Sequence, residues 1–514
     1  MKRLGSILVA FVLVGGCGPA LEGPTLDLSS VNPAPETYAR EDLRHLQYLL
    51  TDAEASAYLM MADTDREGWM RAYWASLDPT PTTPENERHD AHYRRLAYAM
   101  DRFAIDDPPG WDRRGELLIR YGPPDQRDRR SGDVVEGLGL VPPAEVWIYF
   151  QLSHAFQLED ITLKDNFQDS FERQGSGRVD LQGNIAAMQD VGSSEGRRSS
   201  FGRQEIDAYD VEAEMRQRTL KSMMQRGQTA LRETPHVYLH DYGGASLEYV
   251  FDVLNFAGPA GEGDTRVEVN LAVASSQLEY RDSDVEGIEA VLEVEGLVQD
   301  PDYQPVARTA HTTRNHRLDQ TGLGESLVLD RLAVRLPGGE YRLALSLRDS
   351  LSGNVGIYRT EILVREFPPG VLALSDIQVA LDVDRAEPGD PYAKGGFRVT
   401  PYPAAVFPPG RDVFLFFEVY GLAVSPAGES FYEVEFTIRP VGEVGVAWFG
   451  TSRGKAAPGV GTAYDGVGVG ARAAEFIALD PETLKEGTYE VEILVTDRVS
   501  DAVATERISF ACGG

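Results

Sequence analysis

The chain has 514 residues, 42% of them hydrophobic and 25% charged, the balance of a folded globular protein with room for roughly three or four domains. A net charge of −32 opposes attachment to nucleic acid or to an anionic membrane surface. Only two cysteines occur, Cys17 and Cys512, too few for a disulfide framework or a cysteine-based metal site.

The first element is a targeting signal. Lys2-Arg3 precedes the apolar run from Ile7 to Val14, which is too short to span a bilayer. The ending Val14-Gly15-Gly16-Cys17 resembles the bacterial lipobox, which implies cleavage after residue 16 and acylation of Cys17. Each methylene buried in lipid contributes about 0.8 kcal/mol, so several chains on one cysteine hold where one would not. Gly18 in place of an acidic residue resembles the pattern sorted to the outer membrane. Residues 17–40 carry Pro19, Pro24, Pro33 and Pro35 and read as a flexible tether. Arginine supplies nearly all positive charge, since Lys2, Lys164, Lys221, Lys394, Lys455 and Lys485 are the only lysines.

Helical spacing begins near Glu41, with Leu43, Leu46 and Leu50 on one face. Thr51 to Glu54 forms a capping box, and Thr64 to Glu67 repeats it ahead of Trp69, Met70, Tyr73 and Trp74. Asp78-Pro79-Thr80-Pro81 is a stop, and Thr83-Pro84 restarts a helix whose stripe is Tyr93, Leu96, Met100 and Phe103. Leu117 to Tyr121 reads as a strand ended by Gly122-Pro123-Pro124, followed by strands over 145–150 and 155–158. The Gly/Ser/Arg-rich stretch 171–204 reads as a mobile insertion, and 205–234 as a helix and linker.

From Pro235 the period changes to two, with Gly and Pro turns between short strands. Gly339-Glu340-Tyr341 to Asp349 repeats as Gly487-Thr488-Tyr489 to Asp497. The fold class is an α+β domain over 41–170, helices on a small antiparallel sheet, then two immunoglobulin-like all-β sandwiches over 235–366 and 367–514. The run Gly459 to Gly470 lacks a lysine and a following helix, so it reads as a pliable loop of the second sandwich rather than a phosphate loop.

One segment carries a family resemblance. Trp74, Asp78-Pro79-Thr80-Pro81, Asn86-Glu87, Phe103, Gly110-Trp111, Tyr121-Gly122-Pro123-Pro124-Asp125 and Val146-Trp147-Ile148-Tyr149 occur in that order. This resembles the GWxTD-domain family of bacterial envelope proteins, whose functions are largely unknown. The likeness extends more weakly to Leu374-Ser375-Asp376-Ile377 and to the stretch Phe416 to Leu422. The family's Thr-Asp pair is missing here: Gly110-Trp111 runs straight into Asp112-Arg113-Arg114-Gly115. Asp112 can replace it as a cap but not as a Thr-dependent chemical pair.

Candidate sites are few. Trp111, Tyr121, Trp147 and Tyr149 either line a binding groove or pack a core, and core packing is the commoner use of such residues. Asp125 either sits at a site rim or belongs to a rigid turn. His89 and His92 have a spacing that can share a metal, yet His-Glu-x-x-His is absent, and a solvated helix face is the commoner origin of such a pair. No nucleophile elbow or phosphate loop occurs, and no cofactor is expected. The reading is a non-enzymatic, outer-membrane-anchored lipoprotein that binds or scaffolds other envelope proteins or a surface polymer. The alternatives are an envelope hydrolase acting on peptide or glycan through Asp112 or Asp125 and a metal-stabilised binder using His89 and His92.

Overall fold

A computed structural model describes residues 26–28, 43–135, 139–170, 208–233, 236–259, 263–284, 287–322, 326–408, 410–441, 460–480 and 484–513. Cys17, the signal, the insertion at 171–204 and most of the tether lie outside these residues. The chain divides into two compact units, Met1–Pro79 with Asn86–His240, and Thr80–Glu85 with Asp241–Gly514. Among the described residues, no helix is long and apolar enough to cross a membrane.

The first unit contains helices α1 (Leu43–Leu46), α2 (Asp52–Met60), α3 (Asp63–Leu77), α4 (Glu87–Arg102), α5 (Arg113–Tyr121) and α6 (Ala208–Glu233). Its antiparallel sheet runs in the order β1 (Gln126–Arg130), β2 (Ala144–Tyr149), β3 (His154–Glu159), β4 (Gln168–Asp169). Every residue of β2 is buried, so both faces of the sheet are covered. Trp147 and Tyr149 join the main core with α3, α4 and α5. Val146 and Ile148 point the other way and pack with Met223 and Met224 of α6. The period of two therefore serves two cores at once. Gly227 lets α6 approach the sheet: a Cβ there would stand 2.7 Å from the Ala155 carbonyl oxygen.

The helix starts follow local capping chemistry, with two shifts from expectation. Thr51 and Glu54 form the expected box, the Thr51 Oγ1 accepting from the Glu54 N–H and Glu54 Oε2 accepting from the Thr51 N–H. The second box does not form. Helix α3 starts at Asp63, because buried Arg66 reaches back to the carbonyls of Tyr58 (3.1 Å) and Met61 (2.8 Å) and fixes the corner ahead of Thr64. Helix α4 is capped by Asn86 rather than Thr83, with Oδ1 accepting from the His89 N–H at 2.9 Å. The expected tether is also partly docked: Leu26 is buried in the first unit's core.

The segment 117–121, expected as a strand, is helix α5. A five-residue aliphatic run suits either element, and its flanks decide. Asp112 caps it, Glu116 pairs with Arg120 one turn on at 2.8 Å, and Gly122 stops it with φ +84°. Leu117, Leu118 and Ile119 are all buried, while Arg113, Glu116 and Arg120 form the partly exposed stripe that marks the helical period.

The second unit repeats one design. Its first sandwich has β5 (Tyr249–Ala257), β6 (Thr265–Ala274), β7 (Ile288–Gln299), β8 (Pro305–Arg317), β9 (Leu327–Leu336), β10 (Gly339–Asp349) and β11 (Val355–Val364). One sheet is β9-β6-β5 and the other β8-β7-β10-β11. The second has β12 (Gln378–Arg385), β13 (Val413–Tyr420), β14 (Glu429–Val441), β15 (Val460–Val469), β16 (Arg472–Leu479), β17 (Gly487–Asp497) and β18 (Val503–Cys512). Here β16, β13 and β12 pair in one sheet, and β15-β14-β17-β18 run in the other. Counting only described strands of eight or more residues, the first, second and fifth of each sandwich face the other four across an apolar core, and the second sandwich adds the short strand Phe397–Pro401 beside β12. Cys512 is buried in the second core as a free thiol.

The sequence repeat has a physical basis at both of its ends. The Tyr341 hydroxyl donates to the carbonyl of Pro337, four residues back, and the Tyr489 hydroxyl donates to that of Lys485, at the same offset. Asp349 and Asp497 are fully buried at the far ends of β10 and β17. Asp349 accepts from the N–H groups of Leu351 in the hairpin tip and Glu279 in the segment before β7. Asp497 accepts from Val499 in its own tip and Ala423 in the segment before β14. Each Asp thus ties a hairpin to the crossing that comes from the opposite sheet into the hairpin's own.

The glycine run, expected as a loop, is instead edge strand β15 paired with β14 from Glu429↔Val469 to Ile438↔Val460. Its glycines make room for a neighbour's side chain. A Cβ at Gly466 would lie 2.3 Å from the Tyr432 ring, whereas one at Gly461 would meet nothing closer than 3.3 Å. Gly466→Ala should therefore destabilise the second sandwich by about 1–3 kcal/mol, while Gly461→Ala should change it little. Calorimetric unfolding of the two variants checks this, and equal effects would remove the steric explanation.

Candidate functional site

The four aromatic residues singled out from sequence sit inside the first core. Trp111 is 2% exposed and its Nε1 donates to the Tyr48 hydroxyl at 3.2 Å. Trp147 is fully buried and its Nε1 donates to Glu145 Oε2 at 2.8 Å. Tyr121 stacks on Phe156 with ring centroids 5.8 Å apart, and the Tyr149 hydroxyl donates to the Gly122 carbonyl at 3.0 Å. They hold helices to sheet rather than line an open groove. Asp125 is exposed and accepts from the Phe150 N–H at 2.6 Å, which fastens the turn after α5 to the end of β2.

Asp112 is spent on structure. Its Oδ1 accepts from the Arg114 and Gly115 N–H groups at the start of α5, and its Oδ2 accepts from the Phe167 N–H and Arg114 Nε, both at 2.9 Å. Arg114 is buried between the rings of Phe103 and Phe167 and also reaches Asp165 at 3.0 Å. Beside it, Glu145 takes the two-pronged grip of Arg127 at 2.8 Å on each oxygen. Burial pushes the Asp112 carboxyl up, with Arg114 opposing. Burial also acts on Glu145, but the Arg127 fork outweighs it and holds that carboxyl low. Neither acid has a free oxygen turned toward a cleft, as general acid–base chemistry requires. Asp112→Ala removes both the cap and the partner of buried Arg114, and should cost about 3–5 kcal/mol. Asp112→Asn, which keeps the cap, should cost less. Urea unfolding followed by circular dichroism checks the order.

His89 and His92 pack α4 on α3. His92 is fully buried against the His45 carbonyl at 3.0 Å, and burial drives its pKa well below the usual histidine value. His89 meets Asp90 at 3.0 Å, and both imidazoles lie against Trp74, at 5.0 and 5.4 Å. Among the described residues no group of three or more His, Cys, Asp or Glu side chains is placed to hold a metal. Sequence reading missed two neighbours, Arg88 and Arg95. Both are buried on α4 under the Tyr238 ring, at 5.0 and 5.6 Å, and burial lowers each to about 10. Their seven-residue spacing on one helix face was the available signal.

The second unit brings together residues that the family likeness had picked out only weakly. Ser375, Asp376, Phe416, Glu418 and Tyr420 meet where the two sandwiches join. Asp376 Oδ2 accepts from the Asn255 backbone N–H (2.6 Å) and Nδ2 (2.8 Å), while Arg365 binds its other oxygen. Ser375 exchanges backbone and hydroxyl bonds with Glu418, and the Tyr420 hydroxyl accepts from Ala257 and donates to Glu418. Leu254 and Phe256 of β5 pack there on Ala380, Val383, Val399 and Phe416.

A buried ion pair lies at the centre of this junction. Lys394 Nζ donates to Glu268 and Gln378 and lies 4.4 Å from the Phe256 ring centroid. Burial lowers its pKa to about 8 despite Glu268. Arg266 and Arg331 also approach Glu268, at 3.2 and 3.4 Å. Close by, burial raises Asp252 to about 6, offset in part by Asn270 Nδ2 at 2.7 Å. A cleft of about 380 Å³ opens beside the pair, with Arg266, Arg335, Glu418, Arg472, Gly258 and Ala474 in its wall.

A folded pKa raised above the unfolded value means stability is full below about 3.8 and falls as pH rises through about 6. Asp252→Asn should remove that fall. It should gain about 3 kcal/mol over the parent at pH 7.5 and little at pH 4. Urea midpoints at the two pH values test it.

No known protein family and no curated protein is matched by the chain. Among solved structures it is similar to trypsin-activated α-2-macroglobulin from Escherichia coli, at 12% identity and a TM-score of 0.15, over 53% of this chain and 16% of that one. The native conformation of E. coli α-2-macroglobulin gives 13% identity and a TM-score of 0.15, over 52% and 14%. The chain therefore spans about a sixth of the length of these proteins.

Proposed function

We propose that the chain is a non-enzymatic lipoprotein of the bacterial cell envelope, related to the GWxTD-domain proteins and held at the outer membrane through acylated Cys17. Its tandem sandwiches, immunoglobulin-like in their grouping of strands one, two and five against the rest, present binding surfaces to other envelope proteins or a surface polymer. The observation that carries this is what the motif residues touch. Asp112, Asp125, Asp376 and Glu418 all bond backbone N–H groups, arginines or hydroxyls that join one element to another. An envelope hydrolase would instead need two of these carboxylates converging on open space, and both oxygens of Asp112 are taken.

The anchor and the binding role are tested separately. Cys17→Ser should move the protein from the membrane to the soluble fraction or leave it unprocessed; unchanged membrane retention would overturn the anchor. Crosslinking in intact cells, followed by affinity capture, should return one reproducible envelope partner. A protein that stays uncrosslinked across growth conditions would count against the binding role.

A further inference from the structure

The wall of the junction cleft reverses the charge of the molecule around it. The chain as a whole carries −32, yet Arg266, Arg335 and Arg472 line this cleft with Glu418 as the opposing carboxylate. Behind the wall, Glu268 is shared by Lys394, Arg266 and Arg331, so the cations still outnumber the carboxylates. Neighbouring groups already orient Arg472 and Arg266. Arg472 lies 5.3 Å from the Tyr420 ring centroid and donates through Nη1 to the Gly258 carbonyl at 2.7 Å. Arg266 lies 5.1 Å from the Phe256 ring centroid and approaches Glu418 at 3.4 Å. Side chains fixed in this way lose little freedom when a ligand arrives, and the planar fork of arginine matches carboxylate and phosphate oxygens.

We propose that this cleft binds a small organic or inorganic dianion, recognised through phosphate or carboxylate oxygens by Arg266, Arg335 and Arg472. Its volume of about 380 Å³ is at the small end for ligand sites and suits a compact molecule rather than a polymer chain. The site draws on both sandwiches: Arg266 and Arg335 lie on β6 and β9, Glu418 and Arg472 on β13 and β16. A bound anion would therefore bridge the sandwiches at the edge of the Lys394 ion pair. The proposal rests on reading the chain as a binder, but not on its membrane anchor.

Isothermal titration of the full chain with inorganic phosphate and, separately, with succinate tests it at fixed ionic strength. One probe or both should bind saturably, and the stronger one names the preferred oxygen chemistry. Arg335→Gln and Arg472→Gln should each weaken binding at least tenfold, whereas Arg359→Gln, outside the cleft wall, should leave it unchanged. Ala474→Leu, which fills the cleft without altering charge, should also abolish binding and so separates a shaped site from diffuse counter-ion attraction. Absence of saturable binding to either probe, or equal binding by all variants, would overturn the proposal. Fractionation of Cys17→Ser and the crosslinking result would stand unaffected, so failure here is distinct from failure of the envelope reading.

Discussion

A charge taken out of water has to bring its partners with it, and this constraint organises both units. Removing one partner of a buried pair costs several kcal/mol, so the members of such a network are fixed as a group. In the first unit Asp112, Arg114, Glu145 and Arg127 tie the start of α5 to the sheet and to the 165–167 turn. In the second, Lys394 and Glu268 do the same for two sandwiches. Apolar packing supplies the bulk of both cores, but it is non-directional. The ionic groups add directional contacts where these surfaces meet.

This explains what the family-like motifs are for in this molecule. Gly110-Trp111-Asp112 ends with a residue that caps a helix and holds an arginine. The turn after α5 carries Asp125, which holds the end of β2. Ser375-Asp376 and the stretch Phe416 to Tyr420 lie 40 residues apart in sequence and meet at one seam. Asp112 supplies the acceptor oxygens that cap α5.

Legibility in the sequence followed the range of the interaction. Alternation exposed β5, β6, β10 and β17, because period two is a local property, while β2 was read from a continuous apolar run. The repeated Gly-x-Tyr strands signalled two domains of one design, and their Tyr and Asp contacts lie largely within a few residues of chain. Helix α5 was hidden because its aliphatic run Leu117 to Ile119 reads as a strand when taken alone, although Arg113, Glu116 and Arg120 make a polar stripe at helical spacing. Strand β15 was hidden because its glycines answer Tyr432 on a neighbouring strand, not a local preference for turns. The junction was the least legible part: Lys394 looks like any strand-end lysine until Glu268, 126 positions away, is beside it.

The scarcity of lysine gives that ion pair a further consequence. Six lysines occur in the whole sequence, and Lys394 is wholly enclosed. Enclosure protects it for as long as the sandwiches stay together. Its covalent labelling would thus be limited by the frequency with which the seam opens, and the molecule carries, in one side chain, a clock for its own breathing.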